Sequence, residues 1–107
     1  MLRNEFVFPS ADGNTSIHAV QWLPEDDVRA VVQISHGVSE YILRYEPFAQ
    51  YLTDRGFAVV GHDHLGHGSS VAPGAARLYF GPKGSWKWVV DDIEKHRCLA
   101  RESFPNV

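Results

Sequence analysis

Hydrophobic and polar positions alternate near the start of the chain. Phe6 and Phe8 fall on one face of the extended segment 5–9, which predicts a strand. The turn residues 11–14 follow, and residues 16–23 are rich in β-branched and aromatic side chains. We expect these two segments to pair as an antiparallel hairpin.

Two nearly continuous apolar runs, 30–35 and 57–61, predict strands that are covered on both faces. Pro47 and Gly56 suit the first turn and the end of a helix between them. The residues at helical spacing in that helix are Tyr45, Phe48, Ala49 and Leu52. Strand, helix and strand with short connections predict a parallel βαβ unit.

A second helix is predicted from about residue 86 to residue 103. Ser85 is placed to cap its first turn, and Pro105 follows its end. The residues at near-helical spacing, expected to face inward, are Trp86, Val89, Val90, Ile93 and Ala100. The fold class is therefore α/β, and 107 residues suit one domain at most.

Composition narrows the function classes. The formal charge is −3 and no basic stripe is present, so nucleic-acid binding is not expected. Cys98 is the only cysteine, which excludes an internal disulfide. The first residues lack the apolar core of a signal peptide, and no apolar run reaches the roughly 20 residues of a transmembrane helix. We expect a cytoplasmic protein without a transmembrane segment.

The first stretch that could carry chemistry is SHGVSE, residues 35–40, directly after an apolar strand. Ligands of open α/β sheets bind at the carboxyl ends of strands. A His-Gly turn at this point supplies a backbone N–H to the oxyanion hole of α/β hydrolases, where each donor is worth on the order of 10²–10³ in rate. A Gly-containing turn without a catalytic role is the alternative, and the spacing alone leaves both open.

The second stretch is GHDHLGHGSS, residues 61–70, after the other apolar strand. Imidazole and carboxylate groups are zinc ligands, so a metal site of His62, His64 and His67 is one interpretation. Neighbouring side chains on an extended segment point to opposite sides, and the helical H-E-x-x-H spacing is absent. We therefore expect a structural loop and no metal.

A serine nucleophile of the G-x-S-x-G type needs a strand before it and a helix after it. The segments that begin at Gly37 and Gly68 match only part of this motif and lack that context. Cys98 lies inside a predicted helix, which indicates an inert thiol. No residue of the chain is expected to act as the nucleophile.

Two charged residues, Glu40 and Arg44, lie just beyond the His-Gly turn. They are placed either to bind substrate hydroxyl groups at the mouth of a pocket or to pair with each other in solvent. Trp86 and Trp88 are expected to pack against the protein rather than to contact substrate.

Together these motifs resemble those of the monoacylglycerol lipase and lysophospholipase family of α/β hydrolases. That family has HG-x-x-E-H-x-x-RY followed by DH-x-GHG-x-S; here residues 36–45 read HGVSEYILRY and residues 63–69 read DHLGHGS. Residues 79–93 are similar as well, so the resemblance covers roughly residues 5–107. Tyr41 departs from the pattern, because the family usually has His there.

The resemblance implies a carboxylic-ester hydrolase that uses no cofactor and acts on a small lipid or acyl ester. It assigns the backbone N–H of Val38 to the oxyanion hole, within a loop that includes His36 and Gly37. It places Glu40 and Arg44 at the polar head of a glycerol-like substrate. The segment 63–69 would support the site without a catalytic role.

The resemblance also implies parts that these 107 residues do not contain. The family's G-H-S-M-G nucleophile elbow follows a segment like residues 104–107, and the Asp and His of the triad and the helical cap come later. We therefore expect residues 1–107 to be a partial α/β-hydrolase domain that supplies the oxyanion loop and is inactive alone. The alternative is a non-catalytic remnant, or one half of a split domain that pairs with a complementary chain.

The family's strand order places segment 57–61 between the hairpin and segment 30–35. Segment 30–35 would then form an open edge of an incomplete sheet. Open apolar edges associate with other chains, so we expect self-association through this strand.

Overall fold

The computed structural model describes residues 1–107. Its elements in chain order are β1 (Leu2–Pro9), β2 (Ser16–Leu23), β3 (Ala30–Ile34), a 3₁₀ turn (Ile42–Tyr45), α1 (Glu46–Thr53), β4 (Phe57–His62) and α2 (Trp86–Ser103). Every predicted strand and helix is present. The first strand begins at Leu2 rather than Glu5, and the 3₁₀ turn before α1 was not predicted.

The four strands form one open mixed sheet in the order β1-β2-β4-β3. The pairs β1–β2 and β2–β4 are antiparallel, whereas β3 and β4 are parallel. The predicted hairpin, the βαβ unit and the position of β4 next to the hairpin are thereby confirmed. β3 is an edge strand.

Burial differs sharply between the two apolar strands. Ala58 to His62 of β4 are buried, whereas all five residues of β3 are partly exposed. The two strands have similar sequences, so their position in the sheet causes the difference: β4 has a neighbour on each side, and β3 has one. The partial exposure of β3 thus arises from its open edge, since Ile34 packs against the buried cluster around Ala49 and Gln33 bonds the Ile93 carbonyl of α2.

Hydrophobic residues pack on both faces of the sheet. On one face the α1 side chain of Ala49 joins a cluster with Ile42 and residues of β2 and β4: Val20, Trp22 and Val59. On the other face α2 covers a second cluster: Phe8, Ile17, Ala19 and Leu65. β2 contributes to both clusters because successive strand residues point to opposite faces.

Helix α1 buries only part of its apolar side. Ala49 and Thr53 are buried, and Leu52 packs against the first cluster. Phe48, which has helical spacing with these residues, is 49% exposed and stacks on Tyr51.

Helix α2 has its predicted bounds but a different inward face. Trp86 and Val90 are exposed, whereas the polar residues Asp92 and His96 are buried. Ser85 makes no side-chain cap; its carbonyl accepts the Trp88 N–H instead. No helix of the structure is both long and apolar enough to cross a bilayer.

The buried polar residues of α2 have partners elsewhere in the chain. Asp92 accepts hydrogen bonds from the Ser10 hydroxyl (2.7 Å) and the Ala11 N–H (2.7 Å), which tie α2 to the β1–β2 turn. His96 bonds the ring of His62 at the end of β4 (2.9 Å). Hydrogen bonding permits this burial, since an unpaired polar group inside the protein would be destabilising.

Candidate active site

The parallel pairing of β3 and β4 brings two loops to one edge of the sheet. Ile34 and Gly61 are register partners at the carboxyl ends of the two strands. The segment 35–41 and the segment 63–70 therefore begin side by side. These are the two stretches in which the sequence places most of its candidate chemistry.

A reciprocal pair of hydrogen bonds joins these loops through His36 and His64. The His64 N–H donates to His36 Nε2 (2.9 Å), and His64 Nε2 lies 3.0 Å from the His36 carbonyl oxygen. The first bond requires a bare Nε2 on His36, so its Nδ1 carries the proton and donates to the Gly37 carbonyl (2.7 Å). Burial lowers the pKa of His36. Burial and, to a smaller extent, electrostatic repulsion from a protonated His36 lower the pKa of His64 to about 4. Both rings are neutral at pH 7.

Residues 37–40 form a tight turn. The Glu40 N–H bonds the Gly37 carbonyl (3.3 Å), and Ser39 has a positive φ of 61°. This arrangement fits a type II turn with Val38 at its second position. Val38 is 80% exposed, and its N–H donates to no acceptor of the protein.

The Glu40 side chain folds back over this turn. Its Oε1 accepts hydrogen bonds from the Gly37 N–H (2.6 Å) and the Tyr45 hydroxyl (2.8 Å). A Cβ at Gly37 would lie 3.0 Å from the same oxygen, so a small residue suits this position. The hydrogen bond from Gly37 and, to a smaller extent, the bond from Tyr45 lower the pKa of Glu40, which is a carboxylate at neutral pH.

Arg44 approaches the other oxygen of Glu40. Its Nε lies 3.6 Å from Glu40 Oε2, and its side chain is 63% exposed. The structure thus brings Glu40 and Arg44 together beside the exposed Val38 turn. The largest cavity, about 450 Å³, lies elsewhere, between β1 and α2.

Asp63 is buried directly after β4 and organises both loops. Its Oδ1 accepts the Ile42 N–H (2.7 Å), and its Oδ2 accepts the Ser69 N–H (3.0 Å) and bonds His18 Nδ1 (2.7 Å). Gly68 leaves room for this carboxylate, because a Cβ there would overlap it.

His18 and Glu5 were missed by the sequence reasoning. The His18 ring lies between two carboxylates, with Nε2 2.7 Å from Glu5 Oε1 and Nδ1 on Asp63. Burial opposes a charge on this ring, but the bonds to Asp63 and Glu5 outweigh it and raise the His18 pKa. The hairpin register gives a weak signal: Val7 pairs with His18, and Glu5 lies two residues from Val7 on the same face.

The three histidines of the metal interpretation turn to different partners. His62 bonds His96, His64 bonds His36, and His67 Nδ1 lies 3.1 Å from the Leu65 carbonyl oxygen. The remaining ring nitrogen of each of the three is buried without a partner. No group of three or more His, Cys, Asp or Glu residues has metal-binding geometry.

A family model described as Hydrolase_4, serine aminopeptidase S33, matches residues 26–107. The monoglyceride lipase of Rattus norvegicus is 41% identical over 86 residues, which cover 80% of this chain and 26% of that protein. The monoglyceride lipase homolog of monkeypox virus is 31% identical over 94 residues, which cover 88% of this chain and 32% of that protein. The chain thus spans about a third or less of these relatives.

Solved structures agree on the fold. A thermostable carboxyl esterase from Bacillus coagulans, in complex with glycerol, matches 100% of this chain and 34% of its own with a TM-score of 0.88 and 29% identity. A monoglyceride lipase from Saccharomyces cerevisiae matches 90% of this chain and 30% of its own with a TM-score of 0.71. At 17% identity the latter likeness shows the fold alone.

Proposed function

Because the chain belongs to the Hydrolase_4 (serine aminopeptidase S33) family of α/β hydrolases, we propose that it takes part in the hydrolysis of a carboxylic ester of a small lipid. Membership confirms the resemblance noted from the motifs. The ester is favoured over a peptide as substrate because the matching relatives are named monoglyceride lipases and a close structural neighbour is a carboxyl esterase.

The observation that carries the proposal is the free N–H of Val38 at the carboxyl end of β3. When a nucleophile attacks an ester carbonyl, the carbonyl oxygen becomes negative, and a rigid backbone N–H stabilises that charge. Val38 lies in a turn fixed by Glu40 and by the interlocked His36 and His64. The turn is thus preorganised, and this N–H has no competing acceptor in the protein.

The nucleophile is assigned to other residues of the enzyme. Residues 1–107 contain no G-x-S-x-G sequence, so we place the Ser-His-Asp triad outside them. The chain alone should then hydrolyse no ester. A non-catalytic role has no structural observation in its favour.

Glu40 and Arg44 are proposed to meet the polar head of the substrate. Glu40 Oε1 is occupied by Gly37 and Tyr45, whereas Oε2 has only the 3.6 Å contact with Arg44. A substrate hydroxyl can donate to Oε2 or accept from the exposed Arg44 guanidinium. Two such groups beside an oxyanion donor suit a glycerol ester.

The test is a fusion in which residues 1–107 replace the matching part of the rat monoglyceride lipase, assayed on a monoacylglycerol. Val38→Pro removes the N–H but suits the second position of a type II turn, so the fold should persist. We expect kcat to fall by about 10²-fold or more. Val38→Ala is the matched control, which keeps the N–H and should retain activity within a few-fold.

Two results would contradict the proposal. One is equal turnover by the Val38→Pro and Val38→Ala fusions. The other is a fusion that melts cooperatively, with Val38 intact, yet cleaves no ester. Turnover of 4-nitrophenyl butyrate by residues 1–107 alone would contradict the assignment of the nucleophile to other residues.

A further inference from the structure

Charge is distributed unevenly along this acidic chain. All thirteen Asp and Glu residues lie outside the stretch between Asp63 and Asp91. The Lys and Arg residues within that stretch are Arg77, Lys83 and Lys87. A cationic segment therefore interrupts a protein whose formal charge is −3.

The three cations are free of ion pairs. Arg77 donates only to the Gly68 carbonyl (3.2 Å), and the Lys87 ammonium lies 5.8 Å from the centre of the Trp86 ring. Carboxylates pair instead with Arg3, Arg44 and Arg97. The positive charge of the segment is thus available to an external anion.

Large exposed apolar side chains alternate with these cations along the chain. Leu78, Tyr79, Trp86 and Val90 are each more than half exposed. Trp86 and Val90 are four residues apart, so they share one side of α2. We call Arg77, Leu78, Tyr79, Lys83, Trp86, Lys87 and Val90 the cationic face.

Leu78 has a backbone conformation that packing does not explain. Its φ is +61°, a region that is strained for a leucine, although 55% of the residue is exposed. The conformation is held by the bond from the Leu78 N–H to the Gly66 carbonyl (2.9 Å). Gly66 is needed there, because a Cβ would overlap the Tyr79 backbone. A strained backbone at an exposed leucine is a reason to test Leu78 for a functional role.

The cationic face lies toward the same end of the sheet as Val38. Gln33 bonds the Ile93 carbonyl (3.0 Å), whereas Ala30 and Val31 share a groove with Ala100 nearer the other end of α2. Helix α2 therefore runs antiparallel to β3, and its first turn with Trp86 lies toward the carboxyl ends of the strands. A surface bound at this face would lie toward the edge of the sheet that carries the candidate site.

We propose that the cationic face docks on the surface of an anionic phospholipid bilayer. Lysine and arginine are attracted to anionic head groups, and Trp and Tyr settle at the level of those head groups. The exposed Leu78 and Val90 side chains add apolar contact with the boundary of the acyl chains, whereas they would gain little from contact with a nucleic acid. Asp12 and Asp91 border the face and limit the area that can approach the lipid.

The first experiment is flotation of residues 1–107 with vesicles of phosphatidylcholine containing 30% phosphatidylserine, since aggregates do not float. We expect binding that weakens with salt and is lost on pure phosphatidylcholine. Lys83→Gln/Lys87→Gln should lower the partition coefficient about 25-fold, at about fivefold per lysine. The matched control is Arg97→Gln/Arg101→Gln, which removes the same charge from the other end of α2 and should change binding less than threefold.

The second experiment separates docking from structure at Leu78. Asparagine tolerates a positive φ, so Leu78→Asn should melt at the same or a higher temperature. It should also lower vesicle partition up to about tenfold through the lost apolar contact. Vesicles with brominated acyl chains should quench the fluorescence of Trp86, and Trp86→Phe should remove most of that quenching, because Trp22 is fully buried and Trp88 is only partly exposed.

Three outcomes would overturn the proposal. Equal loss of binding in the lysine variant and its control would mean that net charge alone acts. A lower melting temperature and unchanged partition for Leu78→Asn would assign Leu78 to structure. If the lysine variant lost binding to a DNA oligonucleotide while its flotation with vesicles was unchanged, the cationic face would be assigned to nucleic-acid binding.

Discussion

The buried carboxylate of Asp63 accepts the backbone N–H of Ile42 at 2.7 Å. A residue at the end of β4 thereby fixes the point at which the segment after β3 enters its 3₁₀ turn. Val38 and Glu40 lie in the short stretch between β3 and this anchor. The position of the proposed oxyanion donor thus depends on a contact between residues 21 positions apart.

Asp63→Asn should destabilise the protein by about 3 kcal/mol. The carboxylate oxygens face the N–H groups of Ile42 and Ser69 and the His18 ring, and the amide of asparagine would turn an NH₂ toward one of these donors. Urea unfolding gives the change in free energy.

Asp91→Asn is the matched control for this change, because Asp91 is an exposed acid that makes no ion pair. Its effect should stay within about 0.5 kcal/mol. Comparable losses for the two variants would mean that the Asp63 contacts contribute no more than an average surface charge.

Local apolar periodicity predicts the strands, and the family resemblance predicts their order in the sheet. Periodicity fails on α2, whose inward face carries Asp92 and His96 in place of Trp86 and Val90. The partner of Asp92 is Ser10, 82 residues away, and no local pattern reports a bond of that separation.

The candidate site likewise contains features that the sequence predicts and features that it misses. The turn at His36 and the loop after β4 are visible as motifs, since their residues are adjacent in the chain. The bond from His18 to Asp63 joins residues 45 apart, and the β2–β4 pairing creates it. Sequence reasoning therefore found the loops and missed what holds them in place.

Stability should fall as the pH drops below about 6.5. Burial, together with the neighbouring histidines, lowers the pKa of His62 to about 3, and burial lowers the pKa of His96 to about 4. The unfolded chain takes up these protons near pH 6.5 and the folded chain does not, so each neutral histidine weakens folding by up to about 1.4 kcal/mol per pH unit between pH 6.5 and 4. Urea unfolding from pH 4 to 9 measures the slope.

His96→Gln is the control for the loss of stability below pH 6.5. Glutamine can still bond His62 but does not titrate, so the slope below pH 6.5 should be shallower by up to about 1.4 kcal/mol per unit. The effect of His18 on stability has the opposite sign. Its raised pKa adds stability below pH 6.5, and this stability is lost as the pH rises through the pKa of the folded state. A slope unchanged by His96→Gln would show that this ring does not stay neutral in the folded protein.

Gly61→Ala should cost about 1–3 kcal/mol. A Cβ at position 61 would overlap the Ile42 side chain, which is fully buried against β4. Ile42→Ala alone should cost about 2–5 kcal/mol through the cavity it leaves. The double variant should lose clearly less than the sum of the two, because the small residue at 42 makes room for the new methyl group. A double-mutant cycle of urea unfolding gives the coupling energy, and additive losses would mean that the two side chains do not meet.

The open edge of β3 should drive self-association of residues 1–107. β3 has a hydrogen-bonded neighbour only on its β4 side, and its partly exposed residues adjoin an apolar groove that includes Val31, Phe104 and Val107. Sedimentation velocity should show a weight-average mass that rises with concentration, since an unpaired apolar edge recruits further strands. Val31→Lys places a charge at this edge and should shift the distribution toward monomer. Val7→Lys makes the same change on the exposed β1 strand at the opposite edge and should leave the distribution unchanged. A monomer at every concentration, or equal effects of the two lysines, would assign no special role to β3.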